Sequence, residues 1–253
     1  MAKAKKRTGT GAPTETGLTS KQFLDRLASM PVTSYASNSK FFAGDNKNNK
    51  ILGVRMSNIF ALAKQFAQMP LEEIKKLLDN DYYEARMGAV SILDFQARDK
   101  KQTPDRKKKL YQLYLDCHDR INNWDLVDRS APYVVGGYLF DKARKPLYKL
   151  ARSKNIWERR TAIVSTYFFI RQNDIEDTFK IAEILVFDKE DLINKAVGSW
   201  IREAGKRDNQ KLVSFLKKYA ATMPRVTLRY AIEKLDKKQK ATFMAARESK
   251  LIA

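Results

Sequence analysis

The sequence repeats a short helical segment at intervals close to the length of a two-helix unit. Each segment has a polar or basic residue followed by alanine and apolar residues, as in "EARMGAVSIL", "RRTAIVSTYF" and "NKAVGSWIRE". The alanines that mark the segments lie 42, 31, 34 and 35 residues apart and are Ala89, Ala131, Ala162, Ala196 and Ala231. A two-helix unit cannot bury its apolar face alone, so such units stack on their neighbours. The spacing therefore predicts a solenoid of helical repeats.

Helical periodicity runs through almost all of the chain. Ser20 is a possible N-cap for "SKQFLDRLASM", and Pro70 opens "PLEEIKKLLDN" with acids in the first turn, where the helix dipole favours them. No stretch alternates with the period of two that strands require. We expect an all-α fold, a right-handed α-solenoid of HEAT-like helical repeats. Residues 1–20 are predicted to be a disordered basic tail and residues 21–253 a single repeat domain.

The net charge indicates the partner. The chain has 49 Lys and Arg against 29 Asp and Glu, a formal charge of +20 and a pI near 9.9. A protein of this charge is expected to bind a polyanion, with steep salt dependence if that polyanion is nucleic acid. The residues next to the alanine markers would line the concave face of the solenoid. They are Arg86, Asp128, Arg160 and Lys195. The three basic ones suit a DNA backbone, whereas Asp128 does not.

Several classes of protein are disfavoured. No run of about 18 apolar residues is present to cross a membrane, and the first twenty residues do not look like a signal peptide. One cysteine, Cys117, excludes an internal disulfide and a multi-cysteine zinc site. One histidine, His118, disfavours His-rich metal sites and a Ser-His-Asp triad. We expect no metal and no cofactor, and a cytoplasmic protein associated with the nucleoid through DNA.

Asp128 lies in the stretch "NNWDLVDRSAPYVVGGYL", residues 122–139. In a helix, Trp124 and Asp128 are spaced i,i+4 and emerge on one face. Pro132 has no N–H to donate to the carbonyl of residue 128, so the helix should kink there. From spacing alone, two interpretations stay open. Asp125 or Asp128 can cap a helix while Trp124 packs in the core, or the indole and the carboxylate can form a reactive point on a basic surface.

From about Phe41 to Asp236 the chain resembles the DNA alkylation repair family, all-helical glycosylases built from HEAT-like repeats. The resemblance rests on ordered blocks. They are "FFAGDNKNNKILGVRMSNIFALAKQF", "MPLEEIKKLLDNDYYEARMGAVSIL", "NNWDLVDRSAPYVVGGYL", "KNIWERRTAIVSTYFFI" and "INKAVGSWIREAGK". The most specific part is Trp-Asp-x-x-Asp followed by Asn-Ile-Trp-x-x-Arg.

The resemblance implies roles for single residues. Asp128 is similar to the family's catalytic aspartate, and Trp124 to the tryptophan against the damaged nucleotide's sugar. Arg160 is similar to the arginine that contacts the DNA backbone near the lesion. Arg202 and Lys206 are similar to phosphate contacts, beside Arg86 and Lys195. Trp157 is expected in the core because it lies at the flank of the helix that carries Arg160.

One position departs from the family pattern. Ser199 stands where the family has a second tryptophan, and Trp200 follows one residue later. On a helix that offset turns the indole by about 100°. The sequence leaves open whether Trp200 serves as the second aromatic wall and whether catalysis is retained. The loop "FAGDNKNNK" also lacks the glycine-rich character common in the family.

The resemblance implies a monofunctional glycosylase, acting as a monomer on double-stranded DNA, that removes cationic N3- or N7-alkylated purines in base excision repair. The first alternative is a non-catalytic HEAT-repeat protein that binds damaged, branched or distorted DNA, which Ser199 favours. The second is a protein-binding scaffold, which leaves the charge of +20 unexplained. Nothing marks one lysine as having a lowered pKa, so a lyase reaction is not expected.

Overall fold

The structure, a computed structural model, describes residues 17–32 and 49–246. Its first helices are α1 (Ser20–Ala28), α2 (Met56–Gln65), α3 (Leu71–Leu78), α4 (Tyr83–Arg98) and α5 (Pro104–Asp116). A 3₁₀ turn (His118–Arg120) precedes α6 (Trp124–Ala131), which continues through a π-helical segment (Pro132–Gly136) into α7 (Gly137–Leu139). The remaining helices are α8 (Lys145–Leu150), α9 (Ile156–Arg171), α10 (Glu176–Leu185), α11 (Asp191–Gly205), α12 (Asn209–Tyr219), α13 (Arg225–Ile232) and α14 (Lys237–Ala245).

Local sequence signals start several of these helices. Thr19 caps α1 in a capping box with Gln22, and Thr103 caps α5 directly before a proline at the first helical position. The side chains of Asn155, Asp208 and Asp236 accept hydrogen bonds from the first turns of α9, α12 and α14. Each of these caps satisfies a backbone N–H that would otherwise lack a partner.

Five helices, which we call the inner row, pack side by side in chain order: α4, α6, α9, α11 and α13. The partner helices α3, α8, α10 and α12 pack against this row, while α5 packs against α4 and the π-helical segment. All five marker alanines lie in the inner row and are at most 4% exposed. The predicted all-α solenoid is confirmed, and the alanines mark the positions where neighbouring repeats approach each other.

The π-helical segment is the kink that Pro132 predicts. Since residue 132 has no N–H, the regular i→i−4 ladder is interrupted there, and the N–H of Gly137 donates five residues back to the carbonyl of Pro132. Gly136 faces α9 so closely that a Cβ atom on it would lie 2.1 Å from the carbonyl oxygen of Ser165. The segment therefore joins α6 tightly to α9.

The predicted N-cap of the first helix, Ser20, is wrong by one residue. Thr19, and not Ser20, is the N-cap, because Ser20 is the first helical residue and its N–H and hydroxyl both donate to Glu73 on α3. Most of the predicted tail, residues 1–20, and most of the "FAGDNKNNK" loop lie outside the described residues. In the part of the chain that is described there are isolated β-bridges but no strand, and no helix is long and apolar enough to span a membrane.

Candidate functional site

Asp128 and Arg160 form a bidentate ion pair between α6 and α9. Arg160 Nε lies 2.8 Å from Asp128 Oδ1, and one terminal nitrogen lies 2.7 Å from Oδ2. The other terminal nitrogen donates to the carbonyl oxygen of Leu192 at the start of α11, at 2.9 Å. The Asp128 side chain is 32% exposed, whereas that of Arg160 is 9% exposed. The pair therefore holds a carboxylate in one orientation while leaving part of it open to a ligand.

Trp124 begins α6, one turn before Asp128. Its indole is half-buried and packs against the main core, so its rotamer is constrained from one side. Since the two side chains are spaced i,i+4, the helix presents the indole and the carboxylate on a common face. Trp157 on α9 is only 8% exposed, which confirms its expected place in the core.

Asp125 connects the same turn of α6 to α4. Its carboxylate accepts hydrogen bonds from the Tyr83 hydroxyl, from the side-chain amide of Asn123 at 2.9 Å and from the Leu126 N–H at 2.9 Å. Burial raises the pKa of Asp125 to about 6, a change that these hydrogen bonds oppose and the nearby charge of Asp128 adds to. The sequence analysis treated Asp125 only as a possible cap and missed its partner on α4.

A buried ionic cluster fixes the next turn. Asp94 on α4 is fully buried and accepts from Arg98 Nε at 2.8 Å and from Arg129 at 3.0 Å. The Arg129 guanidinium also lies 4.9 Å from the ring centroids of Phe60 and Phe95. Burial raises the pKa of Asp94, and the two arginines oppose that shift. Because Arg129 follows Asp128 directly, its attachment to α4 fixes how α6 is rotated.

The predicted DNA contact at Arg86 is wrong for this structure. The residue is 1% exposed, and its guanidinium donates to the carbonyl oxygens of Asn80 and Asp81, at 2.8 and 3.0 Å, and to the side chain of Asn49. Burial lowers its pKa to about 10. The guanidinium therefore joins the α3–α4 turn to the segment before α2 and does not face a ligand.

The other predicted backbone contacts lie at or near the surface in ion pairs. Lys195 pairs with Asp191 at 2.6 Å, Lys206 with Glu203 at 2.7 Å, and Arg202 with Glu203 and Glu233. Such pairs near the surface are weak and can be exchanged for phosphate contacts. Their role in binding DNA stays a prediction. The same holds for Arg160, which uses three of its five N–H donors within the protein.

Trp200 packs against Tyr167 on α9, with ring centroids 4.9 Å apart. It is half-buried and also contacts a small cluster of Ile170, Ile175 and Ala204. Tyr167 is two turns beyond Arg160, about 10 Å along the helix axis. Trp200 and Tyr167 thus form an aromatic pair between α9 and α11, displaced from Arg160 along the axis of α9, and Ser199 beside them is half-buried. Sequence analysis missed Tyr167 because its partner lies on another repeat.

Among residues 17–32 and 49–246, no group of three or more His, Cys, Asp or Glu side chains is placed to hold a metal ion. His118, which sequence analysis set aside as a ligand, is buried, and its Nε2 shares a hydrogen bond of 2.9 Å with the Thr161 hydroxyl. The candidate site is thus a carboxylate, an arginine and an indole on the inner row of helices.

Comparison with known proteins concerns the family and the fold. Residues 30–235 match the sequence profile of the family described as DNA alkylation repair enzyme. The fold is similar to that of a solved structure described as a predicted DNA alkylation repair enzyme from Enterococcus faecalis. The TM-score is 0.59 and the sequence identity 15%, over 88% of this chain and all of the other. No curated protein matches the chain in sequence. Because the family profile covers most of the sequence, the protein belongs to the DNA alkylation repair enzyme family.

Proposed function

We propose that the protein is a DNA glycosylase that hydrolyses the N-glycosidic bond of cationic N3- or N7-alkylated purines in duplex DNA. The observation that carries the proposal is the partly exposed Asp128 carboxylate, held by Arg160 at 2.7–2.8 Å and sharing a helix face with Trp124. In a chain of formal charge +20, a fixed and accessible acid at this point requires a functional explanation. Membership of a DNA repair family supports the same conclusion.

The chemistry suits a carboxylate without a metal. An alkylated purine is already cationic, so its leaving requires little protonation. As the bond from C1′ to the base nitrogen breaks, its electron pair goes to the base and positive charge develops on the deoxyribose. A carboxylate whose orientation is fixed beforehand stabilises that charge and orients a water molecule. The water adds its oxygen to C1′ and releases a proton to the carboxylate or to solvent.

The other residues have supporting roles in this proposal. The Trp124 indole lies against the cationic nucleotide and contributes about 0.5–2 kcal/mol of cation–π attraction. Arg160 positions the carboxylate. Lys195, Arg202 and Lys206 exchange their ion pairs for phosphates of the duplex, so binding weakens steeply as salt rises. We expect the protein to act as a monomer.

One observation favours a second candidate function, the binding of damaged, branched or distorted DNA without excision. Ser199 replaces the second tryptophan of the family pattern, and Trp200 packs against Tyr167 about two turns of α9 beyond Arg160. If the reaction requires two aromatic side chains around the sugar, this chain has Trp124 beside Asp128 and lacks the second one.

The test is single-turnover excision from duplex DNA that contains one 7-methylguanine. We expect the wild type to release the base, and Asp128→Asn to bind the duplex equally well but release the base at least ~10²-fold more slowly, the scale for losing such electrostatic stabilisation. Asp141→Asn is the matched control, because Asp141 is an exposed acid that forms an ion pair with its neighbour Lys142. Salt-dependent binding without release from any duplex carrying 7-methylguanine or 3-methyladenine would refute catalysis and support the second function.

A further inference from the structure

A cavity of about 460 Å³ opens at the C-terminal ends of two inner-row helices, away from Asp128. It lies where α4 and α9 end, between the start of α5 and the π-helical segment. Its volume falls within the range of about 300–1,000 Å³ usual for small-molecule sites. The lining contains four cations and no acidic residue. The cations are Arg98, Lys100, Lys107 and Arg171, and two aromatic residues, Tyr133 and Phe168, form a wall.

Three of the four cations form no ion pair among the described residues, although Lys107 lies close enough to Asp141 to help lower the pKa of that acid. Arg98 is bonded to the buried Asp94 at 2.8 Å. In the part of the chain that the structure describes, no carboxylate forms an ion pair with Lys100, Lys107 or Arg171. Lys100 and Lys107 come from the junction of α4 and α5 and Arg171 from the end of α9, so the fold brings two separate parts of the chain to one cavity.

Helix dipoles explain only part of this arrangement. Arg98 and Arg171 stand in the last turns of α4 and α9, where a cation offsets the partial negative charge of the helix end. Lys107 is in the first turn of α5, at a helix end that disfavours a cation. Its position, together with two other unpaired cations, is favourable once an anion is present in the cavity.

The wall of the cavity suits a planar ring. Tyr133 and Phe168 meet edge to face with centroids 5.5 Å apart. The Arg98 guanidinium, which also lines the cavity, lies over the Tyr133 ring at 3.6 Å. Nucleic-acid bases stack on aromatic rings and on guanidinium planes. A ligand with a phosphate and a base would therefore use both features of the cavity.

We propose that this cavity binds a nucleoside phosphate, with the phosphate held by Lys100, Lys107 and Arg171 and the base against Arg98, Tyr133 and Phe168. The ligand is either a free mononucleotide or an unpaired nucleotide of a DNA strand. Arg171 is eleven residues beyond Arg160 on α9, about 16 Å along its axis. The nucleotide in this cavity is thus a different one from that at Asp128, and the proposal goes beyond the glycosylase function.

The experiment is titration of the full-length protein with deoxyadenosine monophosphate by calorimetry, with deoxyadenosine as the ligand that lacks phosphate. We expect saturable binding of the monophosphate and at least ~10-fold weaker binding of deoxyadenosine. The double variant Lys107→Ala with Arg171→Ala is expected to lose at least ~10-fold in affinity for the monophosphate. The control is Lys108→Ala with Lys180→Ala, which removes the same charge from exposed positions outside the cavity and should change affinity less than about 2-fold.

Two further arms identify the source of the ligand. If a single-stranded oligonucleotide binds at least ~10-fold more tightly than the monophosphate, and the cavity variant removes that difference, the ligand is a strand nucleotide. If the oligonucleotide and the monophosphate bind with equal affinity, the ligand is the free mononucleotide. Asp128→Asn should bind the monophosphate like the wild type, so a failure of excision leaves this result standing. The proposal is overturned if the monophosphate does not saturate, if deoxyadenosine binds equally well, or if both double variants lose affinity to the same extent. It is also overturned if the cavity double variant changes the affinity for a blunt-ended duplex but leaves the affinity for the monophosphate unchanged.

Discussion

The hydrogen-bonded Asp125 makes the stability of the protein depend on pH in a direction opposite to that of an ordinary surface acid. Its pKa is raised from 3.8 to about 6, chiefly by burial. The folded protein therefore binds a proton more readily than the unfolded chain between these values. Since the raised pKa favours the folded state only while Asp125 is protonated, its contribution is complete below about pH 4 and is lost as the pH rises through 6.

The size of the effect follows from the shift. One pKa unit corresponds to about 1.4 kcal/mol, so a shift of about two units makes the ionised Asp125 unfavourable by on the order of 3 kcal/mol at pH 8. Asp125→Asn keeps a carbonyl oxygen for Asn123 and Leu126 and can donate its amide to the Tyr83 oxygen. The variant lacks the ionisation, so its stability relative to the wild type should rise by about 2 kcal/mol between pH 4.5 and pH 8, because about 1 kcal/mol of the full effect is already present at pH 4.5.

The assay is urea unfolding of both proteins across this range, and the measured quantity is the difference between their free energies of unfolding. Taking the difference removes the pH dependence of the groups that do not interact with Asp125. Asp105→Asn is the control, because its exposed carboxylate has a lowered pKa from the hydrogen bond of Lys109. That variant should lose stability relative to the wild type as pH rises. A difference for Asp125→Asn that is flat with pH, or that falls, would refute the reasoning.

Two further substitutions test the contacts that hold the site. Arg160→Lys keeps the charge but loses the bidentate geometry. It should slow single-turnover excision by at least ~10-fold while duplex affinity changes less than about 2-fold, and equal losses in both would contradict a positioning role. Gly136→Ala places a Cβ atom 2.1 Å from the Ser165 carbonyl oxygen and should cost about 1–3 kcal/mol of unfolding free energy in urea. Gly137→Ala, whose nearest contact is a Phe168 ring atom at 3.3 Å, should cost less.

The parts of the fold that the sequence predicted are those set by period and spacing. The alanine spacing identified the inner row, because packing between repeats tolerates only small residues where helices approach. The i,i+4 spacing put Trp124 and Asp128 on one face, and Pro132 predicted a break where the π-helical segment lies. Each of these inferences needs only local geometry, which is why a single sequence was sufficient.

The errors and omissions concern pairs that are distant in sequence. Arg86 occupies the position expected for the inner face, but carbonyl groups of the α3–α4 turn accept its donors and bury it. Tyr83 reaches Asp125 from 42 residues away, and Tyr167 meets Trp200 from another repeat. Periodicity describes a residue's own helix and carries no information about which side chain on another helix will face it. Those pairs therefore became visible only in the folded chain.

The site depends on how α6 is held between its neighbours. Asp125 and Arg129 attach this helix to α4, and Asp128 attaches it to α9. A helix of eight residues has little stability of its own, so these three contacts, with the core packing beneath them, determine where the Asp128 carboxylate points. Weakening the contacts between α6 and α4 should then change the orientation of the Asp128 carboxylate without removing any of the cations proposed to bind the DNA phosphates. Damage to the Tyr83–Asp125 contact is accordingly expected to lower the rate of excision while leaving duplex affinity unchanged, which separates the positioning of Asp128 from the binding of DNA.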